Sequence, residues 1–170
     1  MNDARPSPVA PICLVIGALL GLGGSFAPSA ALRGLAWGID GIALVVAASL
    51  LAVHLLRRGQ ETAAAGFLVF LAGQTLVLSG SALSLEASGA VFGAGAGLWA
   101  AALLVISAPA LMPKAVRILG CIAALLFAAT AIQIFTGHSL TPLSEPLPFF
   151  AYPVFVATLL GWAWWCRQST

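Results

Sequence analysis

Of the five acidic residues in this 170-residue chain, only Asp40 lies inside a long apolar stretch. A charged carboxyl in hydrocarbon costs about 2.5–3.5 kcal/mol even on the lenient insertion scales, so Asp40 must face a bundle interior, a partner helix or water. Two readings follow: a site for a proton or cation, or a structural acid held by hydrogen bonds close to the interface. Gln74 and Gln133 are amides embedded in similar stretches. Buried amides seek partners and hold membrane helices together at about 0.6–2 kcal/mol each. Asp40, Gln74 and Gln133 therefore form a candidate buried polar or ion site.

A second group, Arg33, Glu86, His138 and Glu145, occupies connecting segments that an even helix count puts on one side of a bilayer. Together with Asp40 and Gln133 these residues sketch a polar cluster on the outer face. His54 and His138 are expected near opposite membrane faces, so they do not flank a single haem iron. Cys13, Cys121 and Cys166 include no CxxC pair, which argues against a zinc site or a disulfide framework. All three are expected near the cytosolic, reducing side as free thiols. No HExxH, GxSxG, Walker or dinucleotide-binding glycine pattern occurs on a suitable element. The sequence offers no catalytic residue, no cofactor site and no metal site, and this weighs against an enzyme.

These residues must be positioned by elements that are almost wholly apolar. The chain is 61% hydrophobic and 7% charged, with a mean hydropathy of +1.08. A soluble domain carries about a quarter charged residues, and it needs them to cover its surface. A net charge of +2 is too small for a phosphate-tracking surface, so no nucleic-acid partner is expected. The remaining class is an integral membrane protein, with lipids as its surroundings.

About 20 apolar helical residues cross a bilayer core roughly 30 Å thick. Six stretches approach that length: 8–26, 34–56, 62–83, 87–108, 118–136 and 148–166. They are continuously apolar, without the alternation of a transmembrane β-strand. Proline, glycine and charge gather in the short links between them, where helices stop and turn back. The expected fold is all-α: one transmembrane domain over residues 1–170, a polytopic bundle of six helices. With a cytoplasmic N-terminus, Arg5, Arg57, Arg58, Lys114, Arg117 and Arg167 lie inside and only Arg33 lies outside. Both termini are then cytoplasmic, as in small multi-pass proteins of a bacterial inner membrane. A competing reading makes 9–24 a signal-peptide core cleaved near Ala30 or Ala31, which leaves five helices.

Gly89, Gly93 and Gly97 recur at four-residue spacing in the fourth stretch, and Gly17 and Gly21 do so in the first. Such rows let helix backbones approach closely, within the chain or against a second subunit. Trp37, Phe149, Phe150 and Tyr152 at one interface, and Trp162, Trp164 and Trp165 at the other, are read as aromatic belts. Arg33 and Arg117, like Glu61 and Glu145, are 84 residues apart, a faint echo of an inverted three-helix repeat of the kind found in transporters. Three functions are therefore carried forward. The first is a structural or accessory subunit packing in a homo-oligomer or larger membrane complex. The second is a small proton- or ion-linked transporter or channel using Asp40. The third is a lipid- or quinone-binding protein or enzyme using the outer cluster, which requires a lipid-accessible cavity reaching Asp40 or His138.

Overall fold

The computed structural model describes residues 7–168, and among them every regular element is an α-helix. The six are α1 (Val9–Ser25), α2 (Ala30–Arg57), α3 (Glu61–Gly80), α4 (Gly89–Ser107), α5 (Lys114–Phe135) and α6 (Ala151–Gln168). Arg5, which entered the orientation argument, lies outside the described residues. Helices α2 to α5 are long and apolar enough to cross a membrane; α1 is a shorter apolar helix of 17 residues.

Three helix starts differ from the sequence reading by three or four residues. The second helix begins at Ala30 rather than Gly34, because Ser29 caps it: its hydroxyl oxygen accepts the Leu32 N–H at 3.2 Å. The fifth begins at Lys114 rather than Ile118, directly after Pro113. Its Arg117 reaches back to the end of α4, donating from Nε to the Ser107 carbonyl (2.8 Å) and from Nη2 to the Ala108 carbonyl (2.9 Å). Those carbonyls have no partner within their own helix. The sixth begins at Ala151, not Pro148. Pro153 therefore falls in its first turn, where a missing N–H is harmless. Gly59 and Gly137 follow the ends of α2 and α5 at φ +70° and +99°, left-handed values that favour glycine.

Each helix packs on its neighbours in sequence, and α6 returns to α1, so the six close into a ring. Inward faces are rich in small residues: Ala43, Ala47, Ala48 and Ala52 of α2, and Ala96, Ala100 and Ala102 of α4, are all buried. Outward faces carry the large aliphatics, such as Leu35, Ile39 and Ile42 of α2 or Ile122, Leu125 and Ile132 of α5. In water this arrangement would expose far more apolar surface than a soluble protein tolerates. In lipid it is the economical one, because close backbone approach rather than a hydrophobic drive holds the helices together.

Helix order places Arg57, Arg58, Lys114, Arg117 and Arg167 at one end of the ring, called here the basic end, and Arg33, Glu86, His138 and Glu145 at the other, the far end. His54 and His138 accordingly lie at opposite ends. The ring's centre is filled by aromatic side chains. Phe70 packs against Trp162 (centroids 5.6 Å apart), Phe155 (5.9 Å) and Trp99 (6.4 Å). Phe67 meets Trp162 at 4.9 Å, and Phe127 meets Trp99 and Phe155 at 5.2 and 5.3 Å. Two residues assigned to the belts thus turn inward. Trp162 is fully buried, and Tyr152 packs tilted against Phe127 (centroids 6.1 Å apart) while its hydroxyl donates to the Pro142 carbonyl at 2.9 Å. Trp164 and Phe150 remain exposed.

Candidate functional site

The site grows from the contact between α1 and α2. Along α1, Gly17, Gly21 and Gly24 present a strip without side chains. Facing it from α2, antiparallel, are Leu44, Asp40 and Trp37. A Cβ on Gly21 would stand 3.2 Å from both Cγ and Oδ2 of Asp40, and one on Gly24 would stand 2.5 Å from the Trp37 indole. The glycines make room for these side chains as well as for the backbone. Trp37 completes the fit by donating its Nε1–H to the Gly21 carbonyl at 3.1 Å. One turn above, the Arg33 guanidinium lies 5.9 Å from the Trp37 ring centroid, within cation–π range.

Asp40 is ten residues beyond the first residue of α2, or ~15 Å along the helix axis. This is deeper than a helix starting at Gly34 implied. Its carboxyl borders a cavity of about 510 Å³ in the far-end half of the ring. The cavity is walled by α1 (Gly17, Gly21), α2 (Arg33 to Leu44), the end of α3 (Val77, Gly80), α4 (Phe92, Trp99), α6 (Tyr152 to Leu159) and the α3–α4 connection (Ser81 to Ser88). Trp99 and Phe155 border it and also belong to the aromatic centre beneath, so their rings form its floor.

The polar side chains of this wall are mostly engaged locally. Ser81 and Ser88 donate to the Leu78 and Leu85 carbonyls at 2.6 and 2.8 Å, and Ser84 accepts the Ala87 N–H. Tyr152 and Trp37 are bonded as described. Asp40 is different: its Oδ1 is buried and has no hydrogen-bond partner. The Trp99 Nε1 is likewise buried without one. A buried polar atom without a partner is uncommon and calls for an explanation. The lining includes no histidine, cysteine or lysine.

The residues singled out from sequence separate. Of the candidate buried set, only Asp40 borders the cavity. Gln74 is buried in α3 with its Oε1 unpartnered, and Gln133 is half-buried on α5; neither lines it. Of the outer cluster, Arg33 and Glu86 line the cavity, whereas His138 and Glu145 are exposed away from it. The α4 glycine row faces within the chain. A Cβ on Gly93 would meet Ile134 at 2.7 Å, one on Gly97 would meet Ala131 at 3.6 Å, and one on Gly89 would meet the Leu140 carbonyl at 3.2 Å. Sequence reasoning missed Trp37, Trp99 and Tyr152 as cavity residues. Trp37 had a usable signal, since Arg33, Trp37 and Asp40 fall at i, i+4 and i+7, on one helix face.

Four apolar helices of spanning length in a closed ring define an integral membrane protein, here with one half of its interior hollow. No protein-family model, curated protein or solved structure matches the chain.

Proposed function

We propose that this is a small-molecule-binding protein of a bacterial inner membrane, with both termini cytoplasmic, and that it holds an amphipathic ligand in the cavity beside Asp40. The observation that carries the reading is the cavity itself. Its 510 Å³ falls within the range of small-molecule sites, and its wall is mainly apolar and aromatic with a few placed polar groups. The basic end would face the cytosol, by the bias of lysine and arginine toward that side, and the cavity would then lie in the outer half.

This reading is favoured over an accessory subunit because the α4 glycines, the chief support for a docking face, pack against α5 and the segment after it. It is favoured over an ion channel because the layer of Phe67, Phe70 and Trp162 fills the ring below the cavity.

The test is saturable binding of the neutral apolar dye Nile red to the purified protein in nanodiscs. Gly34 lines the cavity, and a Cβ there meets nothing within 4 Å. Gly34→Phe, whose Cβ starts in open space, is the variant used to narrow the cavity. Wild type is expected to bind one dye per chain, and Gly34→Phe to lose at least tenfold in affinity. Equal binding by both would place the dye elsewhere and end the proposal.

A further inference from the structure

We infer that the ligand class is a hydrophobic organic cation, held with its charge against Asp40 and its apolar groups against the rings of the cavity; this rests on the binding reading above. Three observations converge. First, the acidic and basic side chains of the wall are Arg33, Asp40 and Glu86, two carboxyls against one guanidinium. Arg33 lies about two turns above Asp40, over the face of Trp37, and Glu86 sits in the exposed α3–α4 connection. Deep in the cavity Asp40 is the only ionisable acid. Second, its Oδ1 has no hydrogen-bond partner, and the α1 face opposite its carboxyl is formed by Gly17 and Gly21, which bring no donor side chain. The counter-charge the carboxyl lacks is one that a ligand can bring. Third, Trp37, Phe92, Trp99, Tyr152 and Phe155 all line the same space. Aromatic faces attract cations, most strongly where water is excluded, and they favour cations of weak hydration over metal ions. An apolar space with one unpaired acid and several rings thus selects a bulky cation with a diffuse charge. A hydrophobic anion of the same shape would meet the acid and gain nothing from the ring faces.

The experiment uses tetraphenylphosphonium and tetraphenylborate, a cation and an anion of nearly equal size and shape, with Nile red as the neutral probe. Binding to full-length protein in nanodiscs of zwitterionic lipid is measured by equilibrium dialysis, with empty nanodiscs subtracted. Wild type is expected to bind the phosphonium saturably and at least tenfold more tightly than the borate. Asp40→Asn, nearly isosteric, is expected to weaken the phosphonium at least tenfold and to weaken it far more than Nile red. The wild-type comparison needs no variant, so it decides the matter even where Asp40→Asn fails to fold. Equal affinity for the two ions, or unchanged phosphonium binding in a folded Asp40→Asn, overturns the cation assignment. If Nile red still binds saturably in that case, the cavity reading survives and the ligand is neutral. If Nile red also fails, both fall.

Discussion

At the depth of Phe67 and Trp162 the ring of helices encloses packed aromatic side chains; at the depth of Asp40 the same ring encloses about 510 Å³ of open space. The helices do not diverge in kind between the two levels. What changes is the size of the side chains that α1 and α3 point inward. Helix α3 contributes Phe67 and Phe70 to the solid half, but Val77, Gly80 and Ser81 to the hollow one. Helix α6 departs from this pattern, since Tyr152 and Phe155 line the hollow half, where α1 adds only Gly17, Ala18, Gly21 and Leu22. Lipid exerts no hydrophobic pressure to collapse such a space, since acyl chains are as apolar as the side chains they would replace. In a membrane, small residues on an inward face are therefore enough to keep a cavity open. The polar group left within it is the part that demands a functional account.

The first way to break the comparison is to hollow the solid half. Phe70 is fully buried and touches three aromatic neighbours on two other helices. Phe70→Ala is expected to cost about 3–5 kcal/mol, the range for removing a large aromatic from a rigid core. Unfolding in mixed micelles with increasing denaturing detergent measures it. A loss below about 1 kcal/mol would show that this layer is soft and can collapse, and the contrast with the far-end half would disappear.

A smaller effect comes from overfilling the same half. A Cβ on Gly66 would stand 2.6 Å from Ile106 Cγ1 and 3.0 Å from the Ile106 backbone nitrogen of α4. A backbone atom cannot step aside as a side-chain tip can. Gly66→Ala should therefore cost about 1–3 kcal/mol, as overpacking does, despite the better helix propensity of alanine. The same unfolding assay checks it, and a gain in stability would mean that α3 and α4 are not in rigid contact.

The number and order of the helices were legible from sequence because length of apolar run is a strong signal. Their starts were less so. Arg33, Lys114 and Arg117 read as loop charges, yet each lies inside a helix, with Arg33 resting on Trp37 and Arg117 bonded to the end of α4. The rotation of each helix about its axis was hardly legible at all. A helix that is apolar on every side has no amphipathic stripe to mark its inward face. Hence Trp162 and Tyr152 read as belt residues although they face the interior, and Gly24 went unremarked although it receives Trp37. Asp40 was legible as a lone acid in an apolar run. Its cavity was not, because the wall is assembled from five of the six helices, and only a tertiary arrangement brings them together.

The smallest expected effect has the opposite sign and sharpens the contrast most. Gly34 sits in the second turn of α2 and borders the cavity, and a Cβ built on it meets no atom within 4 Å. Alanine there gives up no packing and narrows the conformational freedom of the unfolded chain, so Gly34→Ala should stabilise the protein by about 0.5–1 kcal/mol. The same exchange, glycine to alanine within a helix, is thus predicted to destabilise at Gly66 and to stabilise at Gly34. Helix propensity is common to both sites and cannot produce the difference in sign; only the space beside each residue can. If Gly34→Ala instead destabilises the protein, the space beside Gly34 is not open in the folded protein, and the cavity and the ligand reading built on it fail together. If the signs oppose, small groups added at Gly34 can be enlarged stepwise, and the size at which Nile red binding is lost measures the free space beside Asp40.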